Sequence, residues 1–201
     1  MNTYEKWKTL ASKYLVNDRW LKLRADTVET PDGNTLDPFY VLEFPDWINC
    51  LVVDNNDNAL MIRQYRHGAK EYVLEIIGGS TEQHDVSVED AIRRELNEEL
   101  GYIGGEVILT GVSYANPANQ TNKIYSYFAF GGSCANEQAL EPGENIVIEK
   151  MPFVDMVQKL SASGVDEVFQ SYNITNLHFA LRYIKQSDNT RLKQLHEKLQ
   201  F

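Results

Sequence analysis

The sequence predicts an α/β protein in which a mixed β-sheet carries helices and a mostly β arm precedes it. Three observations carry this. Short runs rich in β-branched and apolar residues recur between polar turn clusters in the first part of the chain. A helix with start and stop signals then runs from Ser87 to Gly101. Further strand-like runs follow it, and the chain finishes on segments with helical apolar spacing.

Taken in order, residues 4–15 are expected to form a short amphipathic helix, with Trp7, Leu10 and Leu15 on one side. WLKLRADTVETPDGNTLDPFYVLEF reads as two strands around Pro31-Asp32-Gly33-Asn34, which supplies a fixed φ and a residue tolerant of positive φ. INCLVVD and ALMIRQY are strands separated by the polar cluster Asn55-Asn56-Asp57-Asn58, and EYVLEIIGG is one further strand ending in glycines. Ser87 and Asp90 have capping-box spacing, Ala91, Ile92 and Leu96 form an apolar stripe, and Gly101 suits the left-handed position after the last turn. Strands are expected near 106–113, 123–130 and 145–150, a helix at 153–161, and a helical region from about 174 to 199 marked by Ile174, Leu177, Leu181 and Ile184. The expected organisation is an arm of helix and strands over residues 1–45 and a main domain over residues 46–201.

A chain of 201 residues with 43% hydrophobic content can bury a sizeable core. Its net charge of −10 argues against general binding of nucleic acid or anionic membrane, because phosphates are repelled at long range. A phosphorylated small molecule can still bind where a metal ion and a few arginines set the local field. Cys50 and Cys134 lie far apart and form no metal-ligand pair; they read as two buried free thiols, with a single disulfide as the alternative. The opening MNTYEKWKTLASKYL lacks the apolar core of a signal peptide, and no run approaches the roughly 18 apolar residues of a membrane span, so a cytoplasmic location is expected.

The chemistry concentrates in GSTEQHDVSVEDAIRRELNEELGY, residues 79–102. Glu95 and Glu99 are four apart and project from one helix face, with Glu98 beside them. Such a run can be a solvated acidic face. It can equally be a site for a hard divalent cation, which removes the like-charge repulsion and bridges to substrate phosphates.

The pattern Arg-Glu-Leu-x-Glu-Glu-x-Gly-aromatic, after a glycine-containing loop that follows a strand, resembles the Nudix box. Arg94, Glu95, Leu96, Glu98, Glu99 and Gly101 match it. The resemblance implies the Nudix fold, a mixed sheet sandwiched between helices, with Mg²⁺ (Mn²⁺ as the alternative) held on a loop–helix–loop. Glu95 and Glu99 would be metal ligands, Glu98 a further ligand or a proton relay, and the Gly78 or Gly79 carbonyl an added ligand. Arg94 would orient the carboxylates. The box departs from the family in its loop: after five intervening residues Gly79 is followed by Asp85 in place of Glu, and eight residues instead of seven separate Asp85 from Arg94. Counting back from Arg94 puts Val86 and Ser80 at the Glu and Gly positions.

Flanking residues extend the likeness over most of the chain. MIRQYRHG and EIIGG before the box look like the ADP-ribose and nucleotide-sugar pyrophosphatase branch, as does Pro117, 16 residues after Gly101. Arg63 and Arg66 are substrate candidates. Three positions apart on a strand they face opposite ways, so one at most meets the site, and Arg66 at the strand end is favoured. Trp47 either stacks on a nucleobase or packs in a core or dimer contact. The base that accepts water's proton would come, by resemblance, from the loop ALEPGENIVIEK, with Glu144 the better match and Glu141 the alternative. The arm resembles one that dimerises and covers substrate in this branch, and its alternating apolar positions would be a costly exposed edge in a monomer. The expected partners are thus a nucleoside diphosphate-linked small molecule and a second copy of the chain. The expected reaction is metal-dependent hydrolysis of a diphosphate, on ADP-ribose or a related nucleotide sugar. A GDP-mannose-type or nucleoside triphosphate pyrophosphohydrolase and a non-catalytic binding module of the same fold are the alternatives.

Overall fold

The computed structural model describes residues 5–161 and 168–199. The chain divides into two compact units, residues 1–46 with 114–123 and residues 47–113 with 124–201.

The first unit is a three-stranded antiparallel sheet in the order β1 (Lys8–Asn17), β2 (Lys22–Glu29), β3 (Thr35–Glu43). Strand β1 lies where the amphipathic helix was expected. The apolar spacing of Trp7, Leu10 and Leu15 is a local signal, whereas the pairing that decides the outcome is not: Ser12 donates to Asp26 (2.7 Å), Tyr14 to Glu43 (2.8 Å) and Lys8 to Glu29 (3.1 Å). The β2–β3 turn forms where Pro31-Asp32-Gly33-Asn34 predicts it, with Gly33 at φ +84°. Residues 114–123 return to this unit. The Leu42 N–H donates to Asn119 O (2.8 Å), and the Thr121 N–H donates to Leu42 O (3.1 Å).

The second unit holds β4 (Trp47–Val53), β5 (Asn58–Arg66), β6 (Glu71–Glu75), β7 (Ile77–Ser80), α1 (Val88–Leu100), β8 (Tyr102–Tyr114), β9 (Lys123–Cys134), β10 (Ile146–Pro152), α2 (Phe153–Ser161), α3 (Ser171–Gln186) and α4 (Thr190–Glu197). Its sheet runs β10-β5-β4-β9-β8, and it is mixed, since β4 is parallel to β9 and antiparallel to β5. Period-two alternation sends Leu51 and Val53 of β4 to one face and Ile48, Cys50 and Val52 to the other. The first face packs against α2, α3 and α4, and the second against the Ala91, Ile92, Leu96 and Leu100 stripe of α1. The predicted sandwich of a mixed sheet between helices is therefore present.

Two segments break where one element was expected. EYVLEIIGG splits at Ile76: β6 pairs with β5, whereas β7 pairs with β4. Since β4 and β5 pair only through Val52 and Val53, the sheet opens between these two ladders. The C-terminal helical region breaks before Asn189, whose side chain caps α4 by accepting from the Arg191 and Leu192 N–H groups. Both cysteines are free; Cys50 is buried as expected, but Cys134 is exposed near the end of β9. No described helix is long and apolar enough to cross a membrane.

Candidate functional site

Helix α1 begins and ends as its sequence dictates. Ser87 accepts from the Asp90 N–H, and Gly101, at φ +62°, closes the last turn. Each buried Leu or Ile of the stripe contributes roughly 1.5–3 kcal/mol. That packing seats α1 on the sheet and carries Glu95 and Glu99 into burial with it.

Glu95 and Glu99 are both buried, at 9% and 3% exposure, so their partners decide their charge. Burial raises the Glu95 carboxyl to about 7, against the opposing pull of Arg94. Burial raises Glu99 to about 9, with Glu95 adding to the shift and a bond from the Gly78 N–H (3.3 Å) opposing it. Glu98 lies nearer solvent. Arg94 ties the group together: its Nη1 donates to Glu95 Oε1 (2.9 Å) and Glu98 Oε2 (3.0 Å), and its Nη2 donates to Ser80 O (3.2 Å).

The loop departure resolves in the geometry. Gly79 abuts Glu95 so closely that a Cβ there would lie 2.1 Å from Oε1. Asp85 accepts from Arg94 Nε (3.2 Å) and Nη2 (3.3 Å), which holds its carboxyl below the ordinary range. Val86 is 93% exposed. Asp85 is thus turned to Arg94 while Val86 beside it is turned to solvent. Asp85 braces the loop through Arg94.

Arg66 and Arg63 face opposite ways, as strand geometry requires. Arg66 makes a bidentate pair with buried Glu75 through Nε (2.7 Å) and Nη2 (2.5 Å), and Glu99 bears on its charge. Arg63 pairs with Glu149 of β10 and lies on the sheet face of α2–α4, away from α1. Trp47 opens β4, opposite Ser80 of β7, with its ring edge-on to Tyr172 at 6.5 Å. In the loop before β10, Glu144 is half-buried and adds to the raising of both Glu95 and Glu99, whereas Glu141 is exposed. The Glu144 carboxylate accepts the Glu141 N–H (2.9 Å) across the Pro142-Gly143 turn. Pro117 is exposed in the segment that returns to the first unit.

Sequence reasoning gave no role to Glu75 or Tyr172. Glu75 had a signal, an acid inside an otherwise apolar strand. Tyr172 had none, since its neighbours come from distant segments.

Among the described residues no group of three or more His, Cys, Asp or Glu side chains is gathered to hold a metal ion. The chemistry of the α1 donors nevertheless suits a hard divalent cation that also takes substrate and water oxygens. All of these donors are oxygens, two of the carboxylates are buried without full compensation, and the Glu95 carboxylate packs directly on Gly79, where no side chain could fit.

Two family models match the chain: the nucleoside diphosphate sugar hydrolase N-terminal domain over residues 7–42 and the NUDIX domain over residues 44–171. A methanol dehydrogenase activator of Bacillus methanolicus is 26% identical over 75% of this chain and 77% of its own. An ADP-ribose pyrophosphatase of Bacillus subtilis strain 168 is 22% identical over 85% of this chain and 91% of its own. The crystal structure of an ADP compounds hydrolase superposes with a TM-score of 0.76 at 19% identity, covering 92% of this chain and 97% of that one. With the capped acidic helix, the glycine loop set against it and a NUDIX match over more than half its length, the chain belongs to the NUDIX family and is a Nudix hydrolase.

Proposed function

We propose that the protein hydrolyses the pyrophosphate bond of a nucleoside diphosphate derivative, ADP-ribose or a related nucleotide sugar, with Mg²⁺ as the metal and Mn²⁺ as its alternative. The products are a nucleoside monophosphate and a sugar phosphate. The observation that carries this reading is the Glu95–Glu99 pair, two carboxyls raised by burial, with Glu95 adding to the shift of Glu99 and packing directly on Gly79. A divalent cation supplies charge neutralisation at the phosphate oxygens and acidifies water. Glu95 and Glu99 would hold it, with Glu98 and the Gly78 or Gly79 carbonyl as further oxygen ligands. Arg94 fixes the direction of Glu95 and Glu98. Arg66 is locked by Glu75 through Nε and Nη2, which leaves Nη1 for a phosphate oxygen. Trp47 offers its ring to the nucleobase, and Pro117 enters this reading through the family resemblance. Arg63, paired to Glu149 on the other sheet face, takes no part. The names of the relatives support an ADP-linked substrate. Free thiols at Cys50 and Cys134 suit the reducing cytoplasm, and cell fractionation tests that location.

A substrate panel with Mg²⁺ or Mn²⁺, resolved by chromatography, tests the reading. AMP and a ribose phosphate are expected from ADP-ribose. Turnover of GDP-mannose or of nucleoside triphosphates alone would move the assignment to those substrates, and binding without turnover would make the protein a sensor.

Glu144 is the proton acceptor in this reading, because it is the half-buried acid of the loop and its charge bears on both Glu95 and Glu99, whereas Glu141 is exposed. Glu144→Gln is expected to lower kcat by about 100-fold with little change in KM, the mark of an interaction made in the transition state. Glu141→Gln should keep most of its activity. Steady-state kinetics that reverse the order would move the base to Glu141.

The arm is proposed to pair two copies of the chain. Strand β1 is exposed along nearly its whole length, and Trp7, Leu10, Tyr14 and Leu15 are each about half accessible. An edge of this kind is costly to leave open. Light scattering at micromolar concentration should give twice the mass of one chain, and a single-chain mass would remove the proposal.

A further inference from the structure

The start of α3 is fastened at the place where the sheet opens. Asn173 Nδ2 donates to Leu74 O on β6 (3.5 Å), and Asn176 Nδ2 donates to Asn49 Oδ1 on β4 (2.6 Å) and Tyr127 O on β9 (3.1 Å). Both asparagines are fully buried. One helical turn is therefore bonded to both ladders, which limits how far it can shift. Tyr172 precedes Asn173 on that turn and inherits its constraint.

The Tyr172 ring packs edge-on against Trp47 at 6.5 Å. Glu75, Arg66 and Glu99 are the charges that act on its hydroxyl. That hydroxyl has no hydrogen-bond partner among the described residues, although the side chain is only half-buried and open to a ligand. Both Glu75 oxygens already take guanidinium bonds from Arg66, and Glu75 accepts no bond from the Tyr172 hydroxyl. A phenol is protonated at neutral pH, and burial, with Glu75 adding to it, raises this one further. Asn173 ties this turn to Leu74, the neighbour of Glu75, so a neutral donor lacking an acceptor lies within electrostatic reach of an arginine whose Nη1 is also uncommitted. Together they suit an anionic oxygen.

We propose that Tyr172 is a substrate-binding residue, donating its phenolic hydrogen to a phosphoryl oxygen of the diphosphate held beside Arg66. This rests on the diphosphate reading above. The asparagine bonds make the contact pre-organised, so little ordering is required when the ligand arrives.

The test is calorimetric titration of wild type and Tyr172→Phe with α,β-methylene-ADP and with inorganic pyrophosphate, both with Mg²⁺. The variant keeps the ring and its contact with Trp47, so its Tm should match wild type. One hydrogen bond to a charged oxygen corresponds to about a tenfold loss of affinity, expected for both probes. Unchanged affinity for both would overturn the proposal. A loss confined to α,β-methylene-ADP would also overturn it, because the contact would then be to the nucleoside. If wild type binds neither probe, the diphosphate reading itself fails and the Tyr172 contact with it, an outcome distinct from a variant that binds like wild type.

Discussion

Replacing Glu99 with Gln should lower turnover by more than about 100-fold while leaving a folded protein. Gln keeps the shape and one oxygen of the side chain but removes the charge that would hold a divalent cation. Stability should move the other way. In the metal-free fold the Glu99 carboxyl is raised to about 9, first by burial and then by Glu95, so its ionisation opposes folding. The unfolded carboxyl releases its proton in the ordinary range while the folded one retains it. The cost therefore grows as pH rises above that range toward the folded value. The metal-free variant should then melt at or above the wild-type temperature, with a gap that widens from about pH 5 to about pH 8. Kinetics across a Mg²⁺ series and melting curves across pH check both halves. Wild-type turnover at low Mg²⁺ would remove Glu99 from the ligand set. Asp85→Asn is the comparison. It weakens the brace on Arg94 but leaves Glu95 and Glu99 in place, so its loss of activity should be the smaller.

Gly79→Ala should be nearly as damaging to activity, by a different route. The added methyl would sit 2.1 Å from Glu95 Oε1 and 2.4 Å from its Cδ, a separation no pair of atoms tolerates. The carboxylate must swing away, and its bond to Arg94 goes with it. The Gly79 backbone does not need a positive φ, so alanine imposes no main-chain strain. The expected result is a loss of about 100-fold in kcat/KM with only a small drop in Tm, since a misplaced catalytic group costs far more in rate than in stability. Gly78→Ala is a poor substitute, because its methyl would meet the Ile48 carbonyl at 2.8 Å and disturb the β4–β7 pairing. Full activity in Gly79→Ala would show that the Glu95 position is not critical.

What the sequence made legible is local. Ser87, Asp90 and Gly101 mark α1 because caps act within a few residues, and the strand period alone separated Arg66 from Arg63. The misreadings are non-local. Residues 8–17 pair as a strand because β2 supplies their partners, and no window centred on Trp7 or Leu10 contains that information. The break at Ile76 arises because β6 and β7 find different neighbours. The Asp85–Arg94 contact depends on how the loop between them folds, which residue spacing alone does not specify. Tyr172 joins Trp47, Arg66 and Glu75 through a meeting of four separate segments.

The opening between the two ladders has a consequence for divergence. Glu75, which holds Arg66, is carried by β6 on the β5 ladder, and Gly78 and Gly79, which flank Glu95 and Glu99, are carried by β7 on the β4 ladder. The Glu75–Arg66 pair and the glycines beside the acidic cluster are hydrogen-bonded to different strands. Substitutions around that pair leave the β4–β7 pairing intact. The arginine proposed to meet a phosphate can drift under mutation while the frame of the proposed metal site is inherited unchanged.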